Sequence, residues 1–343
     1  MTSTNFALSE AFTRARNSAQ GHMVASEAAG FTWGEEAITE LVLVGAHPRV
    51  EAFPFNRNQE GGTEGTGADW LWWWIGNDGT AFGMLVQAKR LKKKKSGTWD
   101  IDFAYRSGHQ RNRLFATAEK LRVAATYVLY FGSPNYRRDA EDWANPHSAD
   151  PEPIDVEKCE ECQRKTVSFL AAHVARNYTW RDAYMAYHRA TPIEDLANPG
   201  ARVKTPIVLP TLTLSDDLKA FIDNPQFGPR LVAKNFLAHV MDHRIGQASL
   251  AVADHVEAPL GDRVSDALVF ESLPDDRDHS GAQYFSEVLR GLRTVAPAYV
   301  LDLIHQDSSE LPEGLGLSQE ELAGLAGVVV VHPSDIKGEH KLR

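Results

Sequence analysis

The chain has 343 residues, of which 46 are acidic and 36 basic, giving a formal net charge of −10 at pH 7. This length suffices for one large domain or two ordinary ones with a sizeable core. The negative charge argues against nucleic-acid binding over the whole surface. No apolar run approaches the roughly 18 residues that a membrane helix needs, and the first residues lack the basic and apolar regions of an export signal. We therefore expect a cytoplasmic protein without a membrane partner.

Charge is unevenly distributed along the chain. Residues 85–125 contain eleven lysines and arginines but only three acidic residues. A basic segment inside an acidic chain predicts a local face that attracts phosphate groups.

Two helical patterns open the chain. Residues 1–31 contain a short helical pattern and are predicted to be an extension without chemistry. Thr32–Glu35 has the spacing of a capping box, which predicts a helix from Trp33 with Glu35 as a capping residue. Glu36 lies off the apolar stripe of this helix, so it is a candidate for a neighbouring site, with a solvated helix face as the alternative. The residues predicted to form the buried face are Ile38, Leu41, Val42 and Gly45.

A β-hairpin follows the first predicted strand. Two apolar runs flank Asn77–Gly79, whose Asn-Asp-Gly sequence is typical of a hairpin turn. A three-residue loop there would pair Gly76 with Thr80, and the same register would place Asp69 opposite Gln87.

The predicted register brings polar groups together at the end of the hairpin furthest from the turn. Because side chains alternate across a strand, Lys89 would lie on the face of Gln87 and Asp69. A slip of one residue would separate them. The opposite face of the first strand would carry aromatic rings, predicted to pack against a helix, with a base-stacking surface as the alternative. These rings are Trp70, Trp72 and Trp74.

The remaining elements complete an α/β pattern. A strand at 50–55 and a glycine-rich loop at 56–66 precede the hairpin, and the basic loop Lys92–Ser96 follows it. A helix at 108–125 and a buried strand at 126–132 come next. A strand–helix–strand unit of this kind predicts a parallel neighbour reached by a right-handed crossover.

The chain after residue 132 has weaker patterns. It begins with a long proline-rich loop at 133–156. The predicted helices are 158–176, 181–190, 215–222, 231–244, 282–294 and 318–325, and the predicted strands are 206–209, 298–304 and 327–332. We divide the chain into an extension (1–31), a core (32–132) and a C-terminal α/β region (133–343), which is either a second domain or a cover for the core.

Asp69 followed by Gln87-Ala88-Lys89 resembles the active site of the PD-(D/E)XK nuclease superfamily. Glutamine stands where the commonest form has a second carboxylate, a variant similar to that of Mrr-type restriction enzymes. The chain also resembles a bacterial family of uncharacterised proteins at Glu36-x-x-Thr39, Gly67-Ala68-Asp69-Trp70 and Gln87-Ala88-Lys89-Arg90. The resemblance covers about residues 33–132. It implies a restriction-endonuclease-like core that consists of a helix, a three-strand meander, a helix and a parallel strand. A largely helical α/β region would follow this core.

The resemblance implies a Mg²⁺- or Mn²⁺-dependent nuclease acting on DNA in preference to RNA. The catalytic residues would be Asp69, Gln87, Lys89 and Glu36. The metal ligands would be Asp69, the Gln87 side-chain oxygen, the Ala88 backbone carbonyl, and Glu36 or Glu64. Lys89 would orient the attacking water or stabilise negative charge on the phosphate. A role in bacterial defence or restriction, with a protein partner or a second copy of the chain, is a further expectation.

The expected nucleic-acid contacts lie on the basic segment, although a solvated loop or a helix cap is the alternative for each. They are Arg90, Lys92, Lys93, Lys94, Lys95, Gln110 and Arg113. The alternative function is a catalytically inactive protein of this fold that binds nucleic acid or a protein partner. Asp69 and Lys89 would then form an ordinary cross-strand ion pair.

Two other patterns predict metal sites less strongly. Cys159 and Cys162 have zinc-knuckle spacing, but the chain has no second cysteine pair, and both His147 and His173 would be needed to complete a four-ligand site. We favour two ordinary thiols there. The sequence from His239 to Asp242-His243 is closest to the inverted zinc-peptidase motif with aspartate in place of glutamate, a distant third hypothesis. No Gly-Lys-Ser/Thr phosphate loop is present.

Overall fold

The computed structural model describes residues 3–55, 66–132, 159–175, 182–196, 198, 214–245, 257–259, 267–270, 272–274, 284–306, 317, 321 and 324–332. This part of the chain forms a mixed eight-stranded sheet with helices packed on both faces. The protein is therefore α/β, as the sequence predicts.

The helices, in chain order, are α1 (Ser3–Ala28), α2 (Glu35–Ala46), α3 (His109–Leu121), α4 (Glu160–Arg164), α5 (Asp182–Arg189), α6 (Asp216–Asp223), α7 (Gly228–Ile245), α8 (Tyr284–Leu289) and α9 (Ala298–Gln306). The strands are β1 (Val50–Pro54), β2 (Trp70–Ile75), β3 (Ala81–Arg90), β4 (Lys92–Lys93), β5 (Trp99–Asp100), β6 (Ala124–Tyr130), β7 (Val167–Ala171), β8 (Thr191–Pro192), β9 (Glu257–Pro259), β10 (Ser272–Pro274), β11 (Leu292–Arg293) and β12 (Gly327–Val331).

The strands of the main sheet follow the order β1-β12-β2-β3-β6-β7-β8, and β11 pairs with the start of β3. Strand β12 is antiparallel to β1 and parallel to β2, so it separates them. The predicted three-strand meander is therefore wrong. The linker between β1 and β2 is long enough for another strand to lie between them. Only a turn of two or three residues would have forced β1 and β2 to pair directly. The all-valine run of β12 is buried on both faces, as suits an inner strand.

The hairpin register is confirmed. Trp70 pairs with Val86, and Ile75 pairs with Ala81. At the turn, the Gly76 amide donates to the Thr80 carbonyl at 2.8 Å. Strand β3 then continues past the end of β2 and runs parallel to β6, which confirms the predicted parallel strand.

Helices cover both faces of the sheet. On one face, Phe12 of α1 contacts Trp74 and Phe236 of α7 stacks on Phe82. On the other face, Tyr299 of α9 accepts a hydrogen bond from Trp73. The buried rings of β2 therefore belong to the core. Trp72 and Trp74 are each 2% exposed and thus not available for base stacking. The predicted helix packing is confirmed for Trp74, whereas Trp72 packs on Phe169 of β7.

The N-terminal segment is part of this core. It forms one long helix, α1, whose buried side chains pack against α2. A Cβ on Gly45 would lie 2.7 Å from Ala15 Cα, so glycine allows the two helices to approach closely. Arg16 donates to Glu194 at 2.9 Å, and both side chains are buried.

The chain after residue 132 shares the same sheet, because β7, β8, β11 and β12 all pair within it. The helices predicted at 181–190, 215–222 and 231–244 are confirmed, as is the strand at 327–332. The helix predicted at 158–176 is wrong, because α4 is short and β7 follows it. The predicted strand at 298–304 is also wrong, because α9 occupies it. The helix predicted at 282–294 is split into α8 and β11, and the strand at 206–209 lies outside the described residues, as does most of 318–325.

Candidate functional site

A cleft of about 730 Å³ opens at the start of β2, where β3 extends beyond β2 and keeps only β6 as a strand partner. Its walls come from α2, from the ends of β1, β2 and β3, and from the segment before α3. Five acidic and three basic side chains line it: Glu35, Glu36, Glu40, Asp69, Asp102, Lys89, Arg90 and Lys92. The acidic excess favours a cation, whereas a bare phosphate backbone would be repelled.

Asp69, the residue before β2, continues the hydrogen bonding to β3 beyond the last residue pair of the two strands. Its Oδ2 accepts hydrogen bonds from the Ala88 amide and the Gln87 side-chain nitrogen, both at 2.7 Å. The Asp69 amide itself donates to Val86 at 2.9 Å. Backbone and side-chain contacts thus fix this carboxylate against the edge of β3 that has no strand partner beyond Val86.

Glu35 makes the matching contact one step along the same edge. Its Oε1 accepts a hydrogen bond from the Arg90 amide at 2.9 Å. In a strand, the amides of residues 88 and 90 point to the same side and lie about 6.6 Å apart, with the Ala88 carbonyl between them. The carboxylates of Asp69 and Glu35 therefore flank that carbonyl.

This contact corrects the predicted start of α2. The helix begins at Glu35, after Gly34 as the N-cap residue, and no side chain caps it. The predicted capping box is therefore wrong. Glu36, the acid predicted for the site, is exposed on α2 and lines the cleft, while its neighbour Glu35 reaches β3. Glu64 lies outside the described residues.

A chain of hydrogen bonds links Asp69 to Lys89 through two amide side chains. Lys89 Nζ donates to Gln110 Oε1 at 2.6 Å, and Gln110 Nε2 donates to Gln87 Oε1 at 2.9 Å. Gln87 Nε2 completes the chain to Asp69. The Gln87 amide thus turns its nitrogen, and not the oxygen predicted as a metal ligand, towards Asp69.

Lys89 is 8% exposed, and burial lowers the pKa of its ammonium group. The negative charges of Glu35, Asp69 and Asp102 oppose this effect and raise the pKa. The ammonium also lies 5.6 Å from the centroid of the Tyr105 ring. Lys89 and Asp69 therefore lie at one site, on the same side of the sheet, as the hairpin register predicts.

Two features hold the elements of the cleft together. The Thr39 hydroxyl lies 2.7 Å from the Tyr130 hydroxyl, which joins α2 to β6 beneath the site. Burial raises the pKa of Tyr130, so the phenol stays protonated. Gly67 has a φ of +72°, and a Cβ there would lie 2.3 Å from the Gln110 carbonyl oxygen. Only glycine allows the segment before Asp69 to lie this close to α3.

The predicted nucleic-acid contacts separate into two groups. Lys92 and Lys93 form an exposed two-stranded ribbon with β5, in place of the predicted loop. Lys93 packs over the Trp99 ring at 5.1 Å, and Lys94 pairs with Asp100 at 3.0 Å. Lys95 is exposed in the connecting turn. This basic ribbon (residues 92–100) forms one rim of the cleft through Lys92.

Of the other three predicted contacts, two line the cleft but bind other residues of the protein, and the third lies off the cleft. Arg90 donates to the Trp33 carbonyl and packs over the Trp33 ring, 5.8 Å from its centroid. Gln110 bridges Gln87 and Lys89 inside the site. Arg113 is exposed on α3 and is not among the residues that line the cleft.

The weaker metal patterns gain no support. Cys159 and Cys162 form no disulfide bond, and His173 pairs with Glu287. His239 is buried against Thr191, with 2.6 Å between the imidazole Nε2 and the hydroxyl, and burial lowers its pKa to about 3. Among the described residues, no group of three or more His, Cys, Asp or Glu side chains could hold a metal ion. The side chains of Asp242 and His243 and all of His147 lie outside them.

The site does offer a mixed oxygen set for a hard divalent cation. Asp69, Glu35 and the Ala88 carbonyl present oxygens on one strand edge, and Mg²⁺ keeps several waters, so two carboxylates suffice. The Gln87 side-chain nitrogen currently donates to the Ala88 carbonyl at 3.1 Å and to Asp69. The residues therefore fit such an ion if the Gln87 amide rotates.

Sequence reasoning missed Glu35, Asp102, Tyr105 and Tyr130 as residues at the site. Only Glu35 had a recognisable signal, because it precedes the buried Ile38 and Val42 by three and seven residues and so lies on the inward face of α2, whereas Glu36 does not.

A family model, a family of unknown function (DUF6615), matches residues 8–334. The chain therefore belongs to this family. No curated protein and no solved structure matches it. No described helix is long and apolar enough to cross a membrane.

Proposed function

We propose that this member of the DUF6615 family is a metal-dependent nuclease with a restriction-endonuclease-like active site. One observation carries the proposal. The carboxylates of Asp69 and Glu35 bind alternate amides of β3 on either side of the Ala88 carbonyl, and the Lys89 ammonium lies beside them. An oxygen set for a hard cation next to a partly desolvated cation is an arrangement suited to phosphodiester hydrolysis.

Each residue has a distinct task in this proposal. Asp69 and Glu35 hold Mg²⁺ or Mn²⁺ with the Ala88 carbonyl, and Glu35 takes the place expected for Glu36. The bound ion would lower the pKa of an attacking water and neutralise charge on the scissile phosphate. Lys89 stabilises the negative charge that develops on the phosphate oxygens. Burial strengthens this effect, because few waters screen the ammonium.

The basic ribbon supports a nucleic-acid substrate. The acidic cleft alone repels a phosphate backbone, but the exposed lysines of residues 92–95 attract it to the rim. We keep DNA in preference to RNA as the expected substrate. A cytoplasmic location and a role in bacterial defence stay predictions from the sequence.

The test is a cleavage assay on plasmid DNA and on DNA and RNA oligonucleotides with Mg²⁺. We expect cleavage by the unmodified protein and a loss of at least 100-fold in Asp69→Asn and in Lys89→Met. The matched control is Lys120→Met, because Lys120 pairs with Glu321 on the surface, at 2.7 Å. Cleavage that persists equally in Asp69→Asn contradicts the proposal. Binding of nucleic acid without any cleavage favours the alternative, an inactive protein of this fold.

A further inference from the structure

The hydrogen-bond chain between Lys89 and Asp69 has a fixed direction. A lysine ammonium only donates and an ionised carboxylate only accepts. Each amide between them must therefore accept from the Lys89 side through its oxygen and donate towards Asp69 through its nitrogen. The distances of 2.6, 2.9 and 2.7 Å fit this single assignment of Gln110 and Gln87.

This direction conflicts with a cation at Asp69. The Gln87 nitrogen donates to Asp69 Oδ2 at 2.7 Å and to the Ala88 carbonyl at 3.1 Å, which are two of the proposed ligand groups. The positive end of the amide dipole thus occupies the space that a cation would need. Rotation of the Gln87 amide replaces that nitrogen with an oxygen, which favours the cation.

The rotation cannot stop at Gln87. Once its nitrogen faces Gln110, two amide donors oppose each other, so Gln110 must rotate and accept through its oxygen. The Gln110 nitrogen then faces the Lys89 ammonium, and two donors again meet. Lys89 must therefore leave Gln110.

Resting on the function proposed above, we propose that Gln110 is a positioning residue that couples the divalent cation at Asp69 to the release of Lys89. Without the cation, Gln110 holds the ammonium inside the site. With the cation, Gln87 and Gln110 reverse together and Lys89 is free to bind the substrate phosphate. The site thereby prepares its phosphate-binding ammonium only when the cation is present.

The test measures Mn²⁺ affinity by calorimetry, without substrate, in a double-mutant cycle of Lys89→Met and Gln110→Met. In the unmodified background, Lys89→Met removes both a repelling charge and the hydrogen bond that must break, so we expect affinity to rise about tenfold. In Gln110→Met that hydrogen bond is already absent. In that background, the gain in Mn²⁺ affinity caused by Lys89→Met should be smaller by a factor of at least three. Asn112→Met, on the exposed side of α3, is the matched control and should change nothing.

The outcomes separate this inference from the proposed function. If the effects of Lys89→Met and Gln110→Met on Mn²⁺ affinity are additive within error, the coupling through Gln110 is wrong. The nuclease proposal still stands in that case, provided that Asp69→Asn abolishes Mn²⁺ binding. Absence of Asp69-dependent Mn²⁺ binding overturns both. If Gln110→Met does not fold, side-chain amide NMR of the unmodified protein decides. Addition of Mg²⁺ should then shift the Gln87 and Gln110 resonances together, and a shift of Gln87 alone contradicts the coupling.

Discussion

Replacing Glu35 by glutamine tests which acid of α2 serves the site. Glutamine keeps an oxygen that can accept from the Arg90 amide, as Glu35 does at 2.9 Å, so the helix contact should survive. Only the negative charge is lost. For a carboxylate and a divalent cation about 4 Å apart, at an effective dielectric of about 20, the Coulomb energy is about 8 kcal/mol. Because Glu35 is only partly buried and water screens most of this energy, we expect a loss of about 1.4 kcal/mol, which is a tenfold loss of Mn²⁺ affinity.

The assay is Mn²⁺ calorimetry on Glu35→Gln beside Glu36→Gln and Glu40→Gln, three glutamates of one helix that all line the cleft. The last two are exposed and should weaken binding by less than threefold, through screened long-range charge alone. Thermal unfolding within about 2 °C of the unmodified protein would confirm that the Arg90 contact persists. A larger loss in Glu36→Gln than in Glu35→Gln would refute the assignment of Glu35.

Three further predictions concern other parts of the molecule. Lys93→Gln should lower DNA affinity, measured by fluorescence anisotropy, and reduce the slope of log affinity against log salt concentration by about 0.9. Lys94→Gln should have a smaller effect, because Lys94 pairs with Asp100. Equal effects of the two substitutions would count against DNA binding by the basic ribbon. The pKa of His239 is lowered to about 3 in the folded protein, so protons bind the unfolded state preferentially as the pH falls below about 6.5, and stability falls with them. Between pH 6.5 and 5.0 the loss of stability amounts to about 1.6 kcal/mol. Urea unfolding of His239→Gln should lack that loss, and an unchanged pH profile would contradict the burial argument. Gly67→Ala should destabilise the protein by about 2 kcal/mol or more, since its Cβ would meet the α3 backbone at a positive φ; unfolding at the temperature of the unmodified protein would be inconsistent with this contact.

The positions of Asp69, Gln87 and Lys89 could be predicted from the sequence because they depend only on the geometry of one hairpin. A three-residue turn and the alternation of side chains fix the register between Asp69 and Gln87, and Lys89 follows from the same alternation. No information from distant residues is needed for these three positions.

The remaining errors arise from contacts that are distant in sequence or from weak local preferences. β12 enters the sheet from more than 240 residues after β2 starts, and no local pattern places it between β1 and β2. Glu35 accepts a hydrogen bond from the Arg90 amide, which is 55 residues away in the chain, so no local pattern identifies this partner. The β-branched and aromatic residues of α9 favour a strand, although Pro297 directly before it is typical of a helix start. The lysines of β4 have low strand propensity, which hid the basic ribbon.

Anomalous diffraction from crystals soaked in Mn²⁺ tests the central claim most directly. The account predicts one strong peak in the cleft, within about 2.5 Å of oxygens from Asp69, Glu35 and the Ala88 carbonyl. A peak that contacts none of these oxygens, or a cleft without a peak at a Mn²⁺ concentration that supports cleavage, would contradict it.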